Sequence, residues 1–594
     1  MTTTRRWWLY AAVFAVAGLV YANTVQNGFV LDDRRLVEHN PLIRGVEGIP
    51  VLFRADYWAP KLQSGLYRPL VMSSYALDYE VSGLDPAGYH AVNVLLHALV
   101  SVLVAAFFLR VSEHPAPAIA AAFLFATHAI HTEAVANVVG RAELLAALLS
   151  MVALLAFMHA RGASRPRSHW LQASALLAYF LALLAKESAV TLVGVLVLFD
   201  VTYGPGDRLP LGPRLLRTFG AHWRSYAGFV AVTGVYLGVR QLALPGGTLP
   251  PLLLVDNPLV MLDVPSRVLA ALQVALRYLG LAFWPLHLSY DYSYDQISLV
   301  TSLADPRAWA VLLAWGLVAA ALIWSYRAAA GLFFAMGFYV VTFSVVSNVL
   351  VPIGTILGER LLYLPSVGFC LALALFAWRL AQRLPFSPQA ARVAFAAAFT
   401  IILALHGARA IERNRDWRSQ DRLYLHDVEV VPNSTKALGN AGAILVGQEK
   451  HEEALKLLLR ALEIFPQNEK ASMMAGFAYT GLGRDDDAMR RYDDALRYGV
   501  KDATVYNNLG FILVERETDL RRGVRLLEQA VELAPRNPEY LDSLGWGYFK
   551  AGRLEEARHK LQQSLSIQPR GPSAPARRAH LAEIEKALAA RRSH

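Results

Sequence analysis

Asn27-Gly28-Phe29-Val30-Leu31-Asp32-Asp33-Arg34-Arg35 follows directly on the first apolar run of the chain, Trp7 to about Val25. A run of that length can cross a bilayer, which takes about 20 apolar residues. Arg5 and Arg6 mark its start as the inner side. Two adjacent carboxylates are therefore expected within a few residues of the outer membrane surface. Neighbouring like charges push one pKa upward, and a carboxylate so raised at an interface suits a general base. An isolated Asp-Asp pair would equally suit a solvated turn after a membrane helix, so the rest of the chain has to decide.

Composition points the same way as the first run. The chain has 594 residues, 55% of them apolar, and a mean hydropathy of +0.34. That is too apolar for a soluble enzyme of this size and fits a multi-span membrane protein with a soluble appendage. The net charge of +10 is carried largely by Arg; in a membrane protein such an excess orients loops and meets anionic head groups, so no nucleic-acid partner is expected. The one cysteine, Cys370, leaves no disulfide framework and no Cys-based metal site. The first run lacks a small-residue cleavage site and exceeds a signal-peptide core, so it is read as a retained anchor.

A loop of about sixty residues, roughly 27–88, follows the acidic pair. It holds amphipathic, aromatic-rich pieces at Ile49–Trp58 and Tyr67–Glu80, read as helices lying at the interface. Arg68 stands among apolar neighbours in Tyr67-Arg68-Pro69-Leu70 and either snorkels to head groups or pairs with a phosphate or the aspartates.

Further apolar runs lie at Tyr89–Val111, Ala116–His131, Leu144–Ala160, Trp170–Ala185, Val190–Val201, Tyr226–Val239, Trp309–Trp324, Leu332–Val351, Leu361–Trp378 and Val393–Ala408. Inner loops are marked by Arg161, Arg165 and Arg167, by Arg208, Arg214, Arg217 and Arg224, by Arg327, and by Arg379 and Arg383. Ser266–Trp284 carries Arg267, Gln273 and Arg277 at helical spacing, costly against lipid, and is read as interfacial or re-entrant. The expected count is about 11 spans, amino terminus inside and carboxyl terminus outside. Arg409, Arg413, Arg415 and Arg418 follow the last span on its outer side and keep a twelve-span arrangement open.

Ionisable residues bordering spans are costly and point to function. Three clusters fall at the outer ends: His128, His131 and Glu133 with Asn137, Arg141 and Glu143; Lys186-Glu187-Ser188; and Glu359-Arg360 with Tyr363. Each alone could be an ion-paired helix anchor. Cations converging on the face of an acidic base suit a lipid-linked phosphate donor. The Tyr-rich stretch Leu288–Gln296, with Asp291 and Asp295, lies on the same side and suits a sugar. His128 and His131 are three apart, unlike the four-residue spacing of the His-Glu-x-x-His zinc motif, so no metal is expected.

From about Thr435 the pattern changes to charged, helical periodicity. Ala454, Ala488, Gly523 and Ala557 are separated by 34, 35 and 34 residues, each preceded by a mid-helix glycine: Gly442, Gly476, Gly510 and Gly545. Ala461, Ala495, Ala530 and Ser564 recur seven positions on, and Pro466, Pro535 and Pro569 end three of the second helices. This is the tetratricopeptide signature. The third copy has one extra residue, placed in its turn at Glu515–Arg521. The expected layout is all-α: a membrane domain over 1–410, a linker over 411–434, four repeats over 435–570, and a capping helix and tail over 571–594.

An ordered series of motifs then carries a family resemblance. It runs through Phe29-Val30-Leu31-Asp32-Asp33, Tyr67-Arg68-Pro69-Leu70, Tyr89 and His90 with Asn93 and His97, and His131-Thr132-Glu133 with Gly140-Arg141-Ala142-Glu143. It continues with Ala185-Lys186-Glu187-Ser188, Asp291 to Asp295, Glu359-Arg360 with Tyr363-Leu364-Pro365, and Asn414-Arg415-Asp416-Trp417. With the repeats, this resembles the transmembrane and tetratricopeptide-repeat O-mannosyltransferases of the GT-C glycosyltransferase class, from Trp7 to about Pro569.

The resemblance implies a GT-C fold with Asp32 and Asp33 at the active site, a sugar donor on a polyprenyl phosphate, a carboxylate base, inversion at the anomeric carbon, and no cofactor or metal. Arg360 and Lys186, then Arg68 and Arg141, are the expected phosphate ligands, with Glu133, Glu187 and Glu359 orienting them and His131, Tyr363 and Asp291 nearby. The repeats would recruit a protein acceptor on the outer side, periplasmic in a bacterial inner membrane or lumenal in an ER membrane if the chain is eukaryotic. Two other readings stay open: a non-catalytic envelope scaffold, and a ligase or flippase for lipid-linked glycans.

Overall fold

The computed structural model describes residues 2–204, 209–246, 252–385 and 387–592; Arg208, expected among the inner-loop cations, lies outside them. Among the described residues the chain is helical, with no strand. It divides into two compact units, Met1–Val431 and Pro432–His594.

Helix starts in the first unit follow local chemistry. Pro86, Pro306 and Pro388 each open a helix, and the side chains of Asp85, Asp305 and Ser387 before them accept a backbone N–H of the first turn. Among the described residues eight helices are long and apolar enough to cross a membrane, or nine if Pro115–Thr127 and Ala129–Ala136, bent by 40°, form one span. That falls short of the expected eleven for three local reasons. Val190–Val201 yields a helix of only 12 residues, Leu192–Tyr203. Leu332–Val351 yields 15 residues, Ala330–Ser344. Tyr226–Val239 is the second half of a 33-residue helix, Leu211–Ala243, whose first half carries Arg214, Arg217 and Arg224.

The segment read as interfacial also differs. Val264–Phe283 is a 20-residue helix with the length and hydropathy of a span. Its polar side chains are met by protein: Gln273 donates to Ser298 O at 2.9 Å and accepts from Val300 N at 2.8 Å, and Arg277 lies over the Tyr292 ring at 5.7 Å.

The loop after the first helix has a core of its own. Leu36, Val37, Ile43, Leu52, Tyr57, Val71, Met72, Tyr75 and Tyr89 are buried together with Val138 and Ala142. Tyr67–Glu80 is expected as an interfacial helix; the helix Pro69–Ser82 instead buries Val71, Met72, Tyr75 and Ala76 in this core. The carboxyl end of the unit clasps the loop: Gly28 N donates to Arg418 O at 3.0 Å, and Asn27 Nδ2 to Asn414 O at 3.2 Å. Asn414 Nδ2 in turn reaches Val20 O at 3.0 Å.

Residues 411–434, expected as a linker, belong largely to this unit. The helix Pro388–Asp416 runs through position 410, and a further helix, Gln420–Val430, follows it. Arg413 forks onto Asp427 at 2.6 and 2.9 Å, with Asp416 at 3.3 Å, all three side chains buried.

The second unit is four helix pairs and a final helix, Ala574–Arg592. The first helix of each pair is capped by Ser434, Asn468, Asp502 or Asn537. A Cβ added at Gly442, Gly476 or Gly545 would run into Leu458, Tyr492 or Leu561 of the paired helix, which is why glycine recurs there. The third copy's turn, between Glu515 and Leu520, holds the extra residue.

Each of the four turns contains one residue at positive φ: Glu449 (60°), Gly483 (68°), Glu517 (51°) and Gly552 (74°). The left-handed region costs a side-chain-bearing residue about 1–2 kcal/mol, whereas glycine gives back about 0.5–1 kcal/mol in unfolded-chain entropy. Glu449→Gly and Glu517→Gly are therefore each expected to stabilise the repeat unit by about 0.5–1 kcal/mol, measurable by pulse proteolysis of the full-length chain in urea.

Candidate functional site

Leu31, at a φ of 50°, is a non-glycine residue in the left-handed region. The two aspartates that follow this turn have different surroundings. Asp33 is fully buried and accepts backbone N–H bonds from Val139 at 2.9 Å, Val30 at 3.3 Å and Val138 at 3.4 Å. It thereby ties the loop to the start of the helix beginning at Arg141. Burial pushes its pKa up to about 7, against the pull of those three amides and with a push from Asp32. Asp32 is half-buried, and its side chain makes no hydrogen bond or ion pair among the described residues. It lies within electrostatic reach of Arg360 and Tyr57.

Three cations, of which Arg360 feels Asp32 directly, form a cluster, each on a carboxylate distant in sequence. Arg68 forks onto Glu187 at 2.6 and 3.1 Å and lies over the Tyr57 ring at 4.9 Å. Lys186 pairs with Glu143. Arg360 pairs with Glu133, which also accepts the Arg360 backbone N–H at 2.8 Å. Burial works against the charge of Arg68, but Glu187 outweighs it and holds the guanidinium firmly protonated. Lys186 is lowered by burial, opposed by Glu143. Glu143 is felt by all three cations, which makes one electrostatic cluster of them. Arg360 is the most open, with 35% of its side chain exposed against 12% for Arg68 and 8% for Lys186.

Glu133 thus meets Arg360 and Glu187 meets Arg68, two carboxylate–cation pairs among the expected site residues. Five other expected site residues, Arg141, His131, Tyr363, Glu359 and Asp291, are engaged elsewhere in the protein. Arg141 is fully buried: Nε donates to Asn93 Oδ1 at 2.9 Å, Nη1 to Ser74 Oγ at 3.3 Å and Nη2 to Tyr89 O at 2.8 Å, and Asp78 pairs with it. Its donors are spent inside the protein, so it is not placed to hold a phosphate. His131 is buried against Ser366 Oγ at 2.8 Å, and the Tyr363 hydroxyl against His97 Nδ1 at 2.8 Å.

Glu359 does not orient Arg360. It is buried, accepting from Ser289 N at 2.6 Å and the Tyr292 hydroxyl at 2.7 Å. Asp291 forms a turn with Ser293, accepting its N–H at 3.1 Å and its hydroxyl at 2.6 Å. Two residues outside the expected set belong to the cluster. Glu143 stands in one of the three polar sequence clusters. Tyr57 had no local signal: its place depends on Asp56, which gathers the amides of Trp58, Ser64 and Gly65. Burial pushes the Tyr57 phenol up to about 12.

Glu359 gives a pH prediction. Burial pushes it up from about 4.5 to about 8, opposed by Arg413. Between those values the folded chain holds a proton that the unfolded chain has released, so this group's contribution to stability falls as pH rises through the window. Glu359→Gln mimics the protonated acid and is expected to flatten that decline, read as the difference in Tm between about pH 5 and about pH 8.

Fold and site together define a multi-pass helical membrane protein that carries a cation–carboxylate cluster beside an acidic loop and a tetratricopeptide unit. Residues 246–319 match the family described as Protein O-mannosyl-transferase TMTC, DUF1736, and residues 445–509 match the Tetratricopeptide repeat family. The chain is 28% identical to Protein O-mannosyl-transferase TMTC3 of Mus musculus, over 93% of this chain and 63% of that protein. It is 30% identical to Protein O-mannosyl-transferase Tmtc1 of Drosophila melanogaster, over 76% of this chain and 60% of that protein. By sequence it is thus similar to the TMTC proteins along most of its length, and it spans a little under two thirds of the length of the relatives it matches. Among solved structures, a tetratricopeptide protein, YrrB, is 21% identical over 28% of this chain and 83% of that one, with a TM-score of 0.26.

Proposed function

We propose that this protein is a GT-C-type membrane glycosyltransferase that moves one hexose from a polyprenyl-phosphate donor to a Ser or Thr hydroxyl of a protein. The names of its relatives favour mannose. The observation that carries the reading is the half-buried Asp32 carboxylate, without a hydrogen-bonding partner among the described residues and within the field of Arg360.

In this reading Asp32 takes the proton of the acceptor hydroxyl as its oxygen attacks the anomeric carbon from the face opposite the phosphate. The bond between that carbon and the phosphate oxygen breaks, its electron pair stays on the phosphate, and the configuration inverts. Arg360, with Arg68 and Lys186 behind it, takes up the charge of the leaving polyprenyl phosphate, as charge-assisted hydrogen bonds do well in a water-poor site. The reading assigns this charge to protein cations and gives no step to a metal. Glu133, Glu187 and Glu143 keep the cations aimed until the donor arrives. The site faces the outer side of the membrane, and the tetratricopeptide unit offers a protein-binding surface for the acceptor.

The test is a transfer assay with the full-length protein in nanodiscs. Radiolabelled polyprenyl-phosphate mannose and polyprenyl-phosphate glucose are offered with envelope-protein extracts. Label on protein with one donor supports the reading and names the sugar. Label on lipid or glycan would replace the protein acceptor by a lipid-linked one. Donor binding without any transfer would leave a scaffold.

A further inference from the structure

A cavity of about 280 Å³ lies at the other ends of the helices that carry the site. Glu113, His114, Gly331, Trp378, Arg379 and Arg383 line it. The helix Pro86–Val111 holds Asn93 beside Arg141 at one end and stops beside this cavity at the other. The helix Pro365–Arg383 begins just after Tyr363 and ends in the cavity with Arg383. From Asn93 to Ser112 is about 28 Å at 1.5 Å per residue, close to the roughly 30 Å of a bilayer's hydrocarbon core. The cavity therefore sits at head-group depth on the face opposite Asp32. The stacked rings of His114 and Trp378, 4.5 Å apart, suit that depth, where tryptophan is enriched.

Its charges are unspent. Among the described residues neither Arg379 nor Arg383 makes a hydrogen bond or ion pair, and Nη1 of Arg379 is buried with no partner. A buried guanidinium N–H without an acceptor is costly to keep, and the fork geometry of arginine matches phosphate oxygens. Glu113 is the one carboxylate in the lining, so the two arginines leave a net positive cavity. The helices Pro115–Thr127 and Ala330–Ser344 begin at its rim, beside His114 and at Gly331, and their positive ends offset the negative ends of the two helices that stop there, which leaves the arginines to set the sign of the cavity.

We propose that this cavity binds a phosphate-bearing anion, supplied by a phospholipid head group or by free phosphate, on the membrane face opposite the Asp32 site. It is a separate site from the donor cluster and does not depend on the transferase reading.

The test compares full-length wild type with Arg379→Gln/Arg383→Gln and with Gln382→Glu. Gln382 lines the cavity and is exposed, so the added carboxylate repels an anion without disturbing packing. Melting curves in phosphate-free buffer check that all three fold. Each is then mixed with phosphatidylglycerol and examined by native mass spectrometry, and separately melted with inorganic phosphate against chloride at equal ionic strength. Wild type is expected to retain phosphatidylglycerol at least about tenfold better than either variant. Retention of the lipid without a response to inorganic phosphate assigns a head-group site. A variant-sensitive Tm rise with phosphate, with or without lipid retention, assigns a site open to the free anion. Equal lipid retention and an equal phosphate response in all three proteins would overturn the proposal.

Discussion

Asp32→Asn is expected to lower the rate of sugar transfer by about 10²–10⁴-fold while leaving Tm and donor affinity near those of wild type. The side chain is half-buried and makes no hydrogen bond among the described residues, so an isosteric amide disturbs no packing and strands no partner. What it removes is the proton acceptor.

Asp33→Asn is expected to behave differently, although the residue is adjacent. Its carboxylate is an acceptor for the amides of Val30, Val138 and Val139, and an amide group turns N–H toward N–H at one of those contacts. A cost of about 1–3 kcal/mol in stability follows, with activity falling only as far as the loop shifts. Single-turnover transfer rates paired with melting curves separate the two variants. Near wild-type transfer from Asp32→Asn, with collapse confined to Asp33→Asn, would reverse the assignment of the base.

Arg141→Met is expected to destabilise the membrane unit by about 3–5 kcal/mol, the usual consequence of removing one partner of a buried ion pair. The arginine joins three segments: Asp78 and Ser74 on the helix Pro69–Ser82, Tyr89 and Asn93 on the helix Pro86–Val111, and its own helix. Its guanidinium also lies 4.9 Å from the Tyr75 ring centre. Met fills much of the volume but leaves Asp78 charged and buried. Lys keeps the charge yet cannot reproduce the fork, so Arg141→Lys is expected to recover only part of the loss.

The diagnostic comparison for Arg141 is donor affinity per folded molecule, expected to stay within about twofold of wild type in both variants, because the residue is fully buried and engaged by four protein groups. Unchanged Tm with abolished donor binding would instead return Arg141 to the phosphate site. By the same reasoning the loss of Arg360, the most exposed of the three clustered cations, is expected to weaken donor binding and also to cost stability, because it leaves the fully buried Glu133 without its cation.

Much of this protein is determined locally. The repeat unit follows from small residues recurring at 34- and 35-residue spacing and from caps such as Ser434 and Asn468, because each feature acts within one helix pair. Helix starts in the membrane unit are likewise written in Asp85-Pro86 and Asp305-Pro306. Periodicity also placed cations and carboxylates near one face, as in the motifs around Glu133, Lys186 and Arg360. Span length was less legible, since an apolar run such as Leu332–Val351 continues past the point, Ser344, where its helix ends.

Only the tertiary structure decided which charge meets which. Arg68 finds Glu187 across 119 positions and Arg360 finds Glu133 across 227. Such pairings depend on how helices pack, and the residues flanking each charge say nothing of it. It likewise made Arg141, His131, Tyr363 and Glu359 internal struts, because burial is a property of the packed neighbourhood and the residue type does not fix it. Asp32 and Asp33 are the sharpest case. They share composition and local sequence, and the sequence marks both; one is sealed against three backbone amides and the other is half-buried in the field of Arg360, because only the fold determines which of two adjacent side chains points into protein.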